Sequence, residues 1–214
     1  MNISPIEAVE QASEPGVQLG RRERKKRETR VALHHAALAL FAKNGFRDTR
    51  ISEIADAVDV SESTFFRYFD SKEGVALEGI RQRAEAIVAA VRARPVSESP
   101  IDACLAVNRS DEMPRLRLKP EDLPGLELLG KTPELASKGH LMLSQIVADL
   151  AADFARRLGQ DASTLAVRLQ AHAVIAASMA ALEVWIEDPV GSDPQRLSEQ
   201  ALLKLRSGLQ LDVD

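Results

Sequence analysis

Cysteine is almost missing from this chain: Cys104 is the only one in 214 residues. An internal disulfide and a cysteine-rich zinc site are thereby excluded. The lone thiol is read as buried packing, because a reactive one needs an electropositive, exposed setting. Lys and Arg are absent from the first twenty positions, which carry Glu7, Glu10 and Glu14. That is the reverse of an export signal's basic start, so a cytoplasmic location is expected. The longest uncharged apolar stretch, Ala173 to Leu182, is interrupted by Ser178 and falls well short of the ~20 residues that span a bilayer, so no membrane is expected as a partner. No Gly-rich phosphate loop, G-x-S-x-G elbow or H-E-x-x-H occurs. His34 and His35 are neighbours, and His140 and His172 stand alone. The chain is therefore read as no enzyme, with no cofactor and no metal site.

Aromatics are also scarce, with one Trp, one Tyr and six Phe, yet four of them fall in VSESTFFRYFDSKE, residues 60–73. Charge is similarly uneven beneath a net value of -4. Residues 21–72 hold twelve Lys/Arg against eight Asp/Glu, while residues 73–214 hold sixteen against twenty-one. Such asymmetry marks a nucleic-acid end on an otherwise acidic protein. Its densest part is RRERKKRETR, residues 21–30, where Arg21, Arg22, Arg24, Lys25, Lys26 and Arg27 form a basic arm ahead of the first apolar periodicity. Taken alone, a basic run of this kind reads equally well as a solubilising tail.

After a polar lead over 1–20, expected to be disordered, Leu33, Ala36, Ala37, Leu40 and Phe41 recur on one face of a helix that stops at Asn44-Gly45. A short second helix is spaced by Ile51, Ile54, Ala55 and Val58. Asp59 suits a tight turn, and Ser61 an N-cap for a third helix. Two short helices across so short a turn form a helix-turn-helix, the second member of which reads the major groove. Val60, Phe65 and Phe69 then face inward, while Glu62, Ser63, Thr64, Phe66, Arg67 and Tyr68 occupy the outer surface. Hydroxyls suit phosphate oxygens and an aromatic suits a thymine methyl. Asp70 and Glu73 read as a capping box for the next helix, which places Lys72 in its first turn beside the DNA backbone.

ALHHAALALFAKNGFRDTRISEIADAVDVSESTFFRYFDSKEGVAL, residues 32–77, resembles the N-terminal domain of the tetracycline-repressor (TetR) family of bacterial transcription regulators. The resemblance implies an all-α fold: an N-terminal three-helix DNA-binding domain over 21–72, with its motif at 50–69, joined by a long helix to a helical ligand-binding and dimerisation domain over 73–214. It also implies that Thr49, Tyr68 and Lys72 hold phosphates, and that Glu62, Ser63, Thr64, Phe66, Arg67 and Tyr68 face the groove next to the Ser61 cap. Arg50 stands where Thr or Ser is common, and Asp59 where Gly is common. The implied partners are double-stranded operator DNA, a second copy of the chain, and a small apolar or amphipathic effector that releases the operator from a homodimeric repressor. The alternative is a DNA-binding regulator whose helical domain recruits a protein partner and senses no ligand.

Periodicity agrees that the remainder is helical. A long helix runs from Lys72 to about Arg92, and Pro100 opens another. Pro114, Pro120, Pro124 and Pro133 interrupt a leucine-rich region. A further helix opens at Thr132-Pro133 and stops at Gly159; one from about Ser163 to Glu187 is apolar on nearly every side; the last starts at Asp193-Pro194. The resemblance places the dimer interface on the last two helices, with Ala177, Ala181, Leu197, Ala201, Leu205 and Gly208 as candidates. Met113, Met142, Phe154, His172 and Met179 are the candidates for an effector pocket.

Overall fold

The computed structural model describes residues 20–208 apart from 112, 120 and 121. The lead expected to be disordered thus lies outside the described residues except for Gly20, as does Pro120. All regular elements among the described residues are helices. The first, α1 (Arg21–Asn44), starts at the arm itself. RRERKKR, expected to precede a helix, forms its opening turns, because Lys and Arg are good helix formers and nothing before Thr29 stops the run. The helix buries Leu33, Ala37 and Phe41 and ends at Gly45, whose φ of 84° only glycine adopts freely.

Next come α2 (Ile51–Asp56) and α3 (Glu62–Phe66). Asp59 between them has φ 55°, the one non-glycine with positive φ among the described residues. Asp tolerates this conformation better than most side chains. Leu33, Ala37, Ile54, Ala55, Phe65 and Val75, each 0% exposed, form the core of this headpiece. α4 (Lys72–Ala93) follows, capped by Ser71, whose Oγ accepts from the Gly74 amide at 3.0 Å. The expected Asp70–Glu73 capping box is thereby corrected: the cap lies one residue later, and Asp70 accepts from Lys138 Nζ at 2.8 Å instead.

The second core gathers the far end of α4 with α5 (Pro100–Asn108), α8 (Pro133–Leu158), α9 (Leu165–Glu187) and α10 (Pro194–Arg206). Two short helices, α6 (Met113–Leu116) and α7 (Leu123–Lys131), occupy the proline-interrupted region. Several boundaries fall where the sequence signals put them. Ser99 caps α5 and Pro100 is its first residue, Pro133 opens α8, Gly159 closes it at φ 61°, and Asp193 accepts from the Gln195 amide at 2.9 Å. Beneath α8, Asp153 and Arg157 form a buried pair at 2.6 Å, and the Arg157 guanidinium donates to the Val91 and Pro95 carbonyls at 2.5 and 2.6 Å. This satisfies the end of α4 and fixes it to α8.

α9 departs from expectation in two respects. It is long and apolar enough by composition alone to cross a bilayer, with a mean hydropathy of 1.5 over its best window, of which 22% is buried. One face, with Val167, Ala171, Val174, Ala181 and Trp185, packs into the core. Ala181, expected at a dimer interface, is therefore internal, and Leu205 on α10 likewise packs against the core. The outward face carries Leu165 (80% exposed) and Leu169 (63%), and continues through His172, Ala176 and Ala180. Ala177, Leu197 and Ala201 are half-buried, and Gly208 is exposed.

Candidate nucleic-acid interface

The candidate reading surface is built on one buried ring. Phe65 packs on Phe69 with centroids 5.6 Å apart and meets Phe66 edge-on at 5.5 Å. With Phe65 turned inward, its helical neighbours Glu62, Ser63, Phe66 and Arg67 turn outward and are exposed. Phe66 is 52% exposed, an unusual position for a phenylalanine. Neither Glu62 nor Arg67 has an ion-pair partner among the described residues, so both charges face solvent uncompensated. Ser61 is committed to the fold: its Oγ accepts from the Thr64 amide at 3.2 Å and lies 2.8 and 3.0 Å from the hydroxyls of Ser63 and Thr64. Tyr68 is half-buried at the edge of the headpiece core. Arg50 is exposed, and its amide donates to Glu53 Oε2 at 2.7 Å, which satisfies the start of α2.

Two expected phosphate ligands are bonded within the fold, Thr49 buried and Lys72 half-buried. The Thr49 side chain is 1% exposed, and its hydroxyl donates to the Gly45 carbonyl at 2.8 Å, closing the loop after α1. Lys72 donates to the carbonyls of Phe46, Arg47 and Thr49 at 2.5, 3.1 and 3.0 Å, with its ammonium 4.5 Å from the centroid of the Phe46 ring. A cation in the first turn of a helix is mildly unfavourable; here three loop carbonyls supply the compensation that a phosphate was expected to supply. Both residues shape the loop between α1 and α2. Along α1, Arg21, Arg22, Arg24, Lys25, Lys26 and Arg27 are all exposed. Arg30 instead turns inward to the buried Glu78, which Arg81 and Gln82 also hold. Burial alone raises the Glu78 pKa, but the hydrogen bonds from Arg30 and Arg81 outweigh it and keep the carboxyl below its ordinary value.

Residues 33–78 match the family description "Bacterial regulatory proteins, tetR family", and residues 85–210 match "MftR C-terminal domain". The chain belongs to the TetR family. It is thus a helix-turn-helix transcriptional regulator and not an enzyme. Among its relatives is the HTH-type transcriptional regulator TcmR of Streptomyces glaucescens, 48% identical over 84 residues, a match covering 39% of this chain and only 37% of TcmR. MftR of Mycobacterium tuberculosis is 26% identical over 165 residues, covering 72% of this chain and 80% of MftR. A solved structure of the Thermus thermophilus repressor FadR with lauroyl-CoA superposes with a TM-score of 0.55 at 25% identity, covering 86% of this chain and 97% of FadR.

In this TetR-family regulator the two cores are tied by more than α4. Leu135, near the start of α8, is 1% exposed and belongs to the headpiece core. Beside it Glu134 accepts from Arg47 at 3.0 Å, and one turn on Lys138 reaches Asp70. Farther along the same helix Met142 packs against both cores. None of these long-range pairs carries a sequence signal, since each partner lies 68 or more positions away.

Met142 also lines a half-open cavity of about 260 Å³ between α4, α5, α6, α8, α9 and α10. Met113 and Met179 line it too, as expected, whereas Phe154 and His172 do not. Phe154, at 0% exposure, fills the core, and His172 lies on the outer face of α9. Periodicity marked both as helical but could not say which face the cavity would take. Cys104 lines the cavity, and burial pushes its thiol up to about 12, the setting of a packing cysteine.

Proposed function

We propose that this regulator is a cytoplasmic one-component repressor, which binds a near-palindromic operator as a homodimer and releases it when a small apolar or amphipathic ligand enters the second core. The observation that carries this reading is the cavity, because its walls include α4 and α8, the two helices whose near ends lie in the headpiece. A ligand that displaces Ile87 on α4 or Leu143 and Ile146 on α8 acts on elements that begin at Lys72 and Pro133. In a dimer the reading helices must lie about 34–36 Å apart, or a multiple of that, to enter successive major grooves. A ligand needs only to favour the other separation, and linkage limits its effect to its own discrimination between the two states, typically about 1–3 kcal/mol.

Glu62, Ser63, Phe66 and Arg67 are the proposed base-reading residues, with Thr64, Tyr68, Arg50 and the arm on phosphates. The outward stripe of α9, with Leu165, Leu169, Ala176 and Ala180, is the proposed face for the second copy, since an apolar row of this length stays exposed in a single chain. Selection of bound sequences from a random DNA pool tests the operator, and light scattering tests the dimer. Compounds that stabilise the free protein are then tested for operator release. Stabilisation by many compounds with no change in operator affinity would replace this reading with that of a regulator whose helical domain recruits a protein partner.

A further inference from the structure

The cavity's polar lining restricts what can enter it. Arg83 is held by both oxygens of Asp122, at 3.1 and 3.0 Å, and Arg117 lies 3.9 Å from Asp193. Each lining guanidinium thus has a carboxylate beside it, closely bonded at Arg83 and at longer range at Arg117, so an entering anion would compete for charge that is already engaged. Burying an uncompensated charge is far costlier than burying apolar surface. An anionic ligand is therefore disfavoured, although one end of the cavity is rimmed by arginine.

One polar atom is left over. Asn108, at the end of α5, is 2% exposed and lines the cavity. Its Nδ2 donates to the Gln195 carbonyl at 3.1 Å, while Gln195 Nε2 donates to the Asn108 carbonyl at 2.6 Å, a reciprocal clamp between α5 and α10. A carbonyl can only accept, so the amide nitrogen is fixed toward Gln195 and the amide oxygen toward the other side. That oxygen is buried with no hydrogen-bond partner. A buried acceptor without a donor is a standing cost that a ligand can remove. Ser198, one turn after Gln195 on α10, also lines the cavity and adds a hydroxyl. At about 260 Å³, the space lies below the roughly 300–1,000 Å³ of sites for drug-sized molecules.

We infer that the effector is a small, neutral, largely apolar molecule bearing one hydrogen-bond donor, a phenol or alcohol in chemical class, whose O–H is taken by Asn108 Oδ1. This rests on the ligand-switch reading and narrows it. It also separates this chain from FadR, whose solved complex holds lauroyl-CoA, a long chain on an anionic carrier.

The test uses three molecules of one shape, 2-naphthol, naphthalene and 2-naphthoate, titrated calorimetrically into the full-length protein without DNA. The expected order is 2-naphthol tightest, with naphthalene weaker by roughly tenfold or more for want of the donor and naphthoate weaker still. Asn108→Leu should abolish the preference for naphthol over naphthalene; because this variant also cuts the Gln195 clamp, the unaltered protein's own ranking decides if the variant does not fold. Equal binding of naphthol and naphthalene overturns the role of Asn108, and tightest binding by naphthoate overturns neutrality. Binding by none of the three overturns the inference together with the cavity reading beneath it. Binding in the expected order without release of selected operator DNA leaves the ligand class standing and removes the switch.

Discussion

Replacing Lys72 by methionine separates a loop staple from a phosphate ligand. Methionine keeps an unbranched apolar stem against the Phe46 ring, where a thioether is also well placed, but it removes all three donors from the carbonyls of Phe46, Arg47 and Thr49. Charge-assisted hydrogen bonds contribute about 1.5–3 kcal/mol each. The three share one ammonium, and the site is half-buried, so water recovers part of the loss and a net cost of about 2 kcal/mol is expected. For a chain of this length about 2–4 °C accompanies each kcal/mol, which gives a fall in melting temperature of about 4–8 °C. Thermal unfolding by circular dichroism, without DNA, measures it. Operator affinity at a temperature where both proteins are folded should then fall less than affinity does in Arg67→Ala. A melting temperature within about 1 °C of the unaltered protein, with a large and sequence-independent loss of DNA affinity, would refute the staple and restore the phosphate contact.

Arg67→Ala or Glu62→Ala should change preference at one base pair by about 1–3 kcal/mol, read on a panel of single-base operator variants; uniform losses across the panel refute base reading. Neutralising Arg21, Arg22 and Arg24 to Gln leaves α1 helical, and if the three contact phosphates the slope of log K against log salt becomes shallower by about 2.7; an unchanged slope makes the arm a solubilising element. Asp153→Asn strands the fully buried Arg157 and should destabilise the fold by about 3–5 kcal/mol in urea unfolding, whereas an effect below about 1 kcal/mol would show that the carbonyls at the end of α4 suffice. Glu78 has a folded pKa held below its ordinary value of 4.5, so its contribution is complete above about pH 4.5 and is lost as pH falls through the folded value. Glu78→Gln should therefore flatten the acid limb of stability against pH in that window; an acid limb identical in the two proteins refutes the linkage.

What the sequence disclosed was local. Ser61, Asp59, Pro133, Gly159 and the Asp193-Pro194 pair act on their own backbone within one turn, so their meaning is set before the chain folds. The phenylalanine cluster was legible because one inward ring fixes the direction of its neighbours. Orientation of α9 was not legible: a helix apolar on every side gives periodicity no preferred face, and Ala181 fell on the side opposite the exposed stripe. The loop contacts of Lys72 and Thr49 were not legible, because loop carbonyls, as acceptors, attract the same donors as phosphate oxygens do. Leu135 looked like one more apolar residue on a long amphipathic helix, and nothing in that helix announces the buried headpiece core 58 or more positions earlier.

The placement of Leu135 also bears on how such regulators are recombined. A head exchanged at the connecting helix alone, between residues 72 and 93, would leave its own core short of one leucine and would leave Glu134 and Lys138 facing a foreign loop. The foreign headpiece would carry a leucine-sized hole or a clash, and deletions of that size in a core typically cost about 2–5 kcal/mol. A functional graft has to take the first six residues of α8, Pro133 to Lys138, together with residues 20–78, since Val75, Ala76, Leu77 and Glu78 on α4 belong to the headpiece core or pair with it. In units of exchange, the DNA-reading module is a discontinuous one, and its last piece comes from the middle of the chain.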